Sequence, residues 1–283
     1  MEARVGETFK KRLVVFYIPL FMFLVVLLFP FYWMVIASIK PDAELYSVRS
    51  SPFLVRDMTL SHWFYLFEET LFARWAWNTF MIATASTLLS LFCGVFAGYS
   101  LSRLRFRGST SIGVGIFVTY LVPPTLLFIP LADVISGMGL LDSPWALILS
   151  YPTILVPFST WLLMGYFKTI PKELEECARI DGATRFQAFI RIILPLATPG
   201  VLSAGIFAFT LSWNEFLFAL VFLSTPENKT VPVGVVSELI KGDVFFWGSL
   251  MAGALFGSVP VAIVYSFFVD YYVSGLTGGA VKG

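Results

Sequence analysis

A chain of 283 residues with 58% hydrophobic, 17% aromatic and only 13% charged side chains, at a mean hydropathy of +0.82, is built for a membrane and not for water. The net charge of +1 identifies no partner, and the basic residues are dispersed among loops, which excludes a nucleic-acid-binding face. Two cysteines, Cys93 and Cys177, exclude a disulfide framework, and a single histidine, His62, excludes a histidine-based metal centre or a buried Ser/His triad.

In chain order, the hydropathy pattern predicts an all-α membrane protein with six transmembrane helices. A basic first tail leads to an apolar run over 13–39. That run is too long for a signal peptide and no small-x-small cleavage site follows, so it is read as a retained span. Residues 40–75 are polar, with a surface helix expected over 60–72. The second span covers 77–101 and carries Gly94 and Gly98, a small-xxx-small spacing that lets a neighbouring helix approach closely. After the basic turn 102–107 comes a third span, 111–134, with Pro123, Pro124 and Pro130, and then a fourth, 145–167, with Pro152 and Pro157. Proline frees backbone carbonyls, which a bilayer tolerates only where protein or a watery cavity satisfies them, so these spans are expected to kink. A fifth span over 201–223, an outer loop over 224–248 and a sixth span over 249–273 complete the bundle.

The polar interruption 168–199 reads as a bent pair of short helices. Pro171 suits a first helical position, and Glu173, Glu175 and Glu176 sit where the helix dipole favours acids. Glu175 and Arg179 have the i,i+4 spacing of an ion pair. Asp181-Gly182 supplies the break, since glycine reaches the left-handed conformation that ends a helix. Thr184 and Gln187 have the form of a capping box for the second helix, whose apolar face is Phe186, Phe189, Ile190 and Ile193. Leu194-Pro195 ends or kinks it. Such a hairpin either lies on the lipid surface or docks on a soluble partner.

Basic residues orient the bundle. Four in the first tail, three in 103–107, five in 168–199 and Lys282 put thirteen of the nineteen Lys/Arg on the side of the two termini, which is therefore expected to be cytoplasmic. No phosphate-binding loop of the form Gly-x4-Gly-Lys-Ser/Thr is present; the stretch 275–283 has the wrong spacing and no helix follows it.

Glu176-Cys177-Ala178-x-x-Asp181-Gly182-Ala183, with Ile192 to Pro195 beyond it, resembles the coupling loop, or EAA loop, of bacterial ABC importer permeases. The Asp-Gly-Ala and the closing Leu-Pro are similar to the carbohydrate importers of the maltose-transporter type. Cys177 departs from that pattern, standing where the loop usually has alanine. The resemblance implies that Glu176, Cys177, Ala178, Asp181, Gly182 and Ala183 couple the chain to ATPase subunits. The carboxyl end is similar to a tail that inserts between the two ATPases, which implies contacts from Gly275, Leu276, Thr277, Gly278 and Gly279. The outer loop resembles one that reaches into an extracytoplasmic sugar-binding protein, giving Val235, Val236, Ser237 and Glu238 as contacts. It implies three partners besides the lipid bilayer: a second, non-identical permease, an ATPase dimer and the binding protein. ATP and Mg are then held by the ATPases, with no cofactor, metal or catalytic residue on this chain. The domain division expected is 1–73 (first tail, first span, outer loop), 74–274 (permease core) and 275–283 (tail), in the bacterial cytoplasmic membrane.

Inside the fifth span, Trp213, Asn214 and Glu215 are open to two readings. They could line a sugar path, with Trp213 stacking on a sugar face, or make a polar contact that shapes the bundle. Within the family, the nearest alternative is an importer permease for another solute class, such as amino acids, and two further classes compete with the importer. An ion-coupled transporter needs paired ionisable groups at mid-membrane, where Glu215 stands nearly alone. An intramembrane enzyme needs a nucleophile and base within the spans, where none is seen.

Overall fold

The computed structural model describes residues 11–104 and 106–277. Among the described residues, four helices are long and apolar enough to cross a membrane: Leu13–Ile39, Phe72–Arg103, Pro144–Thr169 and Trp247–Val269. Two bent pairs, Ser109–Tyr120 with Pro124–Gly137 and Arg185–Leu196 with Thr198–Trp213, bring the number to six when each is counted as one crossing.

Two of the expected continuous spans are broken. The third turns by 97° between Tyr120 and Pro124, because Pro123 and Pro124 lack the amide hydrogens that would carry the helix through. The fifth stops at Trp213 and restarts as Leu217–Phe222. The sixth helix runs on to Thr277, so Gly275, Leu276 and Thr277 belong to its last turn and not to a free tail; Gly278 and Gly279 lie outside the described residues.

The chain forms two compact units. One comprises the chain up to Thr70 with Val235–Gly257. In it the helix expected over 60–72 is Ser61–Glu68, and its His62 is buried, with Nε2 2.7 Å from the Lys40 carbonyl oxygen. That nitrogen carries the proton, so the lone histidine is a structural donor. A Cβ on Gly248 would fall 2.3 Å from the His62 ring, so the start of the sixth helix can lie there only as glycine. Lys40 is also buried. Its ammonium donates to the carbonyls of Ser51 (2.7 Å) and Pro52 (3.1 Å), with the Glu44 carboxylate 3.9 Å away.

The other unit comprises Leu71–Gly234 with the chain from Ser258. Its spine is the second span packed along the fourth. The spacing of Gly94 and Gly98 does what the sequence implies: a Cβ at Gly94 would meet Ser159 Cβ at 2.9 Å, and one at Gly98 would meet Leu163 Cβ at 3.1 Å. Two apolar clusters flank this spine. One joins Ile82, Leu147, Tyr151, Phe218 and Phe222; the other joins Val95, Tyr99, Leu163, Phe167, Phe189 and Ile193.

Backbone atoms of the fourth span stand in the way at Gly98, and the Ser159 backbone lies 3.4 Å from a Cβ at Gly94. Gly94→Val is therefore expected to destabilise the bundle by about 1–3 kcal/mol through overpacking, whereas Cys93→Ala, one residue away and not at that contact, stays near wild type. Thermal unfolding of the purified chain in detergent measures the difference.

Candidate functional site

The polar interruption folds as a hairpin of two short helices. The first is Glu173–Ile180, with Glu173, Glu175 and Glu176 in its first turn as expected. Pro171 stands two residues ahead of the helix instead of opening it. The helix ends in a Schellman turn. Gly182, at φ +91°, donates its amide to the Arg179 carbonyl (3.2 Å), and Ala183 donates to the Ala178 carbonyl (2.9 Å). The second helix opens at Thr184 with both arms of the capping box formed. Gln187 N–H donates to Thr184 Oγ1 (3.2 Å), and Thr184 N–H donates to Gln187 Oε1 (2.8 Å). After Arg185–Ala188 the backbone loosens into a π turn, Phe189–Ile193, and the chain bends by 71° between Leu196 and Thr198. The bend thus falls two residues beyond Pro195, and the π turn ahead of the proline absorbs its missing donor.

One side of the hairpin is anchored and the other is bare. Phe189 is buried; its ring centroid lies 4.4 Å from that of Tyr99, 5.6 Å from Phe96 and 6.5 Å from Phe167. Burying such a ring contributes about 1.5–3 kcal/mol. Ile193, Ala178 and Ala188 are buried with it. The apolar face expected from the sequence is narrower than its periodicity suggests, because Phe186 and Ile190 point outward. At the tip, Ile180 is 84% exposed and Phe186 63%, and Leu174 in the first turn of the hairpin is exposed as well. Of the six expected coupling residues, Glu176, Cys177, Asp181 and Gly182 are exposed, Ala183 is half-buried and Ala178 is in the core.

The ion pair expected between Glu175 and Arg179 is absent among the described residues. Glu175 Oε1 instead accepts the Tyr99 hydroxyl at 2.8 Å, linking the first hairpin helix to the second span. From the last turn of that span, the Arg103 guanidinium donates to the carbonyls of Phe167 and Ile170, the otherwise orphaned end of the fourth span.

The second group of expected residues forms the break in the fifth span. Trp213 is 4% exposed and stacks on Phe209 at 5.6 Å, so its ring is enclosed by protein. Asn214 donates its side-chain amide to the Thr210 carbonyl (2.8 Å), closing the first half-helix. Glu215 opens the next one. Its carboxylate accepts from the amides of Phe218 (2.9 Å) and Ala219 (3.1 Å) and from the Tyr151 hydroxyl (3.0 Å). These bonds hold the restarted half-helix and the fourth span together at Glu215, as the bundle-shaping reading expects.

The stretch following the fifth span is folded and not a long free loop. It contains a 3-10 turn, Pro226–Asn228, a helix, Val231–Leu239, and a two-residue β-hairpin pairing Ile240 with Phe245 and Lys241 with Val244. Val236 and Ser237 are exposed on the helix, Val235 and Glu238 half-buried, and Glu238 pairs with Lys241 at 2.7 Å. That carboxylate raises the Lys241 pKa.

Residues that the sequence did not single out hold this stretch in place. Asp142, at φ +56°, accepts the amides of Ser224 and Thr225 (both 2.9 Å) and the Thr225 hydroxyl. Trp75 Nε1 donates to the Pro226 carbonyl (2.7 Å), and Asn78 Nδ2 donates to the carbonyls of Glu227 (2.8 Å) and Lys229 (3.0 Å). A Cβ on Gly234 would lie 2.3 Å from the Trp75 ring. These hydrogen-bonded partners are separated by 82 to 151 positions, and only the turn-forming Asp142-Ser143-Pro144 offered a local signal.

A family profile described as "binding-protein-dependent transport system inner membrane component" matches residues 90–278. Two relatives align over almost the whole chain. The inner membrane ABC transporter permease protein YcjP of Escherichia coli is 37% identical, covering 95% of this chain and 96% of its own. The trehalose/maltose transport system permease protein MalG of Thermococcus litoralis is 35% identical, covering 92% and 93%. Among solved structures, a chain of a bacterial ABC transporter involved in the import of the acidic polysaccharide alginate superposes with a TM-score of 0.80 at 24% identity, covering 95% of this chain and 98% of that one, which fixes the fold.

Two measurements check these assignments. Glu215→Ala leaves two amides and the Tyr151 hydroxyl without their acceptor, so it is expected to cost about 1–3 kcal/mol in unfolding, with Glu215→Gln recovering part of the loss. Hydrogen bonds, first that of the Thr225 hydroxyl, hold the Asp142 pKa down at about 2. A depressed carboxylate pKa stabilises the fold above the ordinary value of about 3.9 and loses that contribution as pH falls toward the folded value. The gap in melting temperature between wild type and Asp142→Asn is therefore expected to be full at about pH 5 and to close toward about pH 2.

Proposed function

The chain belongs to the family of binding-protein-dependent transport system inner membrane components, and from that premise we propose that it is one permease of an ATP-driven carbohydrate importer. In this reading it forms the translocation path with a second, non-identical permease and is moved by a separate ATPase dimer that holds ATP and Mg. The relative named for trehalose and maltose supports a sugar as cargo. The termini and the hairpin face the cytoplasm, which the distribution of Lys and Arg supports.

The observation that carries the coupling role is the division of the hairpin. Phe189 and Ile193 lock it onto the second and fourth spans, while Ile180 and Phe186 remain bare at its tip. Apolar side chains exposed on a polar, firmly mounted turn suit a protein groove. Glu176, Cys177, Asp181 and Gly182 lie around that tip and would enter the groove, with Ala183 beside them and Ala178 as their footing. When the ATPases close, the hairpin moves with them. The mounted spans must follow, which is how ATP turnover would switch the access of the path.

Two other contacts belong to the same proposal. The end of the sixth helix, Gly275 to Thr277, with Gly278 and Gly279 beyond it, would reach the ATPase dimer. The helix face bearing Val235, Val236, Ser237 and Glu238 would meet the sugar-binding protein on the opposite side of the membrane. The Asp142, Trp75 and Asn78 bonds would hold the approach to that face rigid against the bundle.

Gly182→Pro removes the amide that bonds the Arg179 carbonyl and cannot take φ +91°, while Glu176→Lys reverses an exposed charge beside the tip. Both are expected to insert normally, to abolish sugar uptake in cells and to reduce co-purification of the ATPase at least tenfold, about 1.4 kcal/mol of docking energy. Wild-type uptake by both variants overturns the docking role.

A further inference from the structure

Arg103, Lys172, Arg179 and Arg185, with Glu175 and Glu176, line a cavity of about 380 Å3 between the hairpin and the end of the second span. Four cations face two carboxylates. Among the described residues no ion pair closes between them, although Glu175 and Arg179 have the spacing to form one. Glu175 is engaged elsewhere, by the Tyr99 hydroxyl. Arg103 is committed to the fold: one of its terminal nitrogens binds two backbone carbonyls, and Nε and Nη1 are enclosed by protein. Lys172, Arg179 and Arg185 are exposed around the cavity, and the two carboxylates do not balance the positive charge gathered there.

We propose that this cavity binds a phosphate group. A phosphate offers the charge and the acceptor oxygens that the exposed guanidinium groups of Arg179 and Arg185 and the Lys172 ammonium can bind together. The volume leaves room for the polyol that the phosphate esterifies. Two sources share this chemistry: the headgroup of an acidic phospholipid and a small soluble phosphoester. Arg103 ends the membrane-crossing helix Phe72–Arg103, the depth at which headgroups lie. A phosphate here would tie the hairpin to the second span through charge, alongside the Phe189 anchor. The inference concerns what the cavity holds and stands whether or not the hairpin docks on an ATPase.

The test uses the full chain, purified in detergent. In one arm, native mass spectrometry compares retention of phosphatidylglycerol with that of phosphatidylcholine. In the other, inorganic phosphate is titrated calorimetrically into delipidated protein. Wild type and Arg191→Gln, an exposed charge of the same hairpin outside the cavity, are expected to favour the acidic lipid by about tenfold, and the double variant K172Q/R179Q to fall to parity. Should the double variant unfold, Arg185→Gln alone is expected to lose at least half of the preference. Binding of inorganic phosphate that the variants abolish, without a lipid preference, supports the soluble source. Absence of both, or binding that the cavity variants leave unchanged, overturns the proposal and points to an acidic segment of a partner protein instead.

Discussion

A backbone amide inside a bilayer has no water to turn to, and this chain breaks its helices there regardless. The break at 214–216 is viable because Glu215 spends its carboxylate on the amides of Phe218 and Ala219 and on Tyr151, while Asn214 closes the preceding half. A carboxylate at that depth is costly in lipid, about 2.5–3.5 kcal/mol on insertion scales, and is tolerated because protein donors surround it. The same accounting explains Arg103, which answers the last carbonyls of the fourth span. At both of these places a side chain stands where the backbone needs a partner.

These satisfied breaks divide the molecule into stiff segments joined at defined corners. The second and fourth spans, in near-backbone contact at Gly94 and Gly98, form one rigid piece. The hairpin is mounted on that piece through Phe189, Ile193 and the bond between Tyr99 and Glu175. Its other arm turns by 71° into the fifth helix. A displacement of the hairpin is therefore shared between a packed pair of helices and a corner, and the fifth helix has a second corner at Asn214.

What could be read from the sequence was what is local. The capping box of Thr184 and Gln187 and the left-handed Gly182 depend on neighbours within four residues, and both formed as expected. The paired glycines announced a close contact because no side chain stands between the helices. Prolines announced breaks but not angles: nothing in Pro123-Pro124 distinguishes a kink from a 97° turn, which depends on what each arm packs against. Glu215 was legible as a costly residue, yet its role depended on a helix restarting just behind it. The partners of Asp142 were invisible, because Ser224 and Thr225 are more than eighty positions away and only the folded chain brings them together.

The way Phe189 is seated has a mechanical corollary. A ring wedged among Tyr99, Phe96 and Phe167 resists compression steeply, since close-packed atoms have nowhere to go, but its attraction to those rings fades within an ångström or so of separation. Tension across the joint falls on few polar links, chief among them the Tyr99 hydroxyl on Glu175. The mounting is thus stiff when pushed and compliant when pulled, so a thrust on the tip reaches the helices with less loss than a tug of equal size.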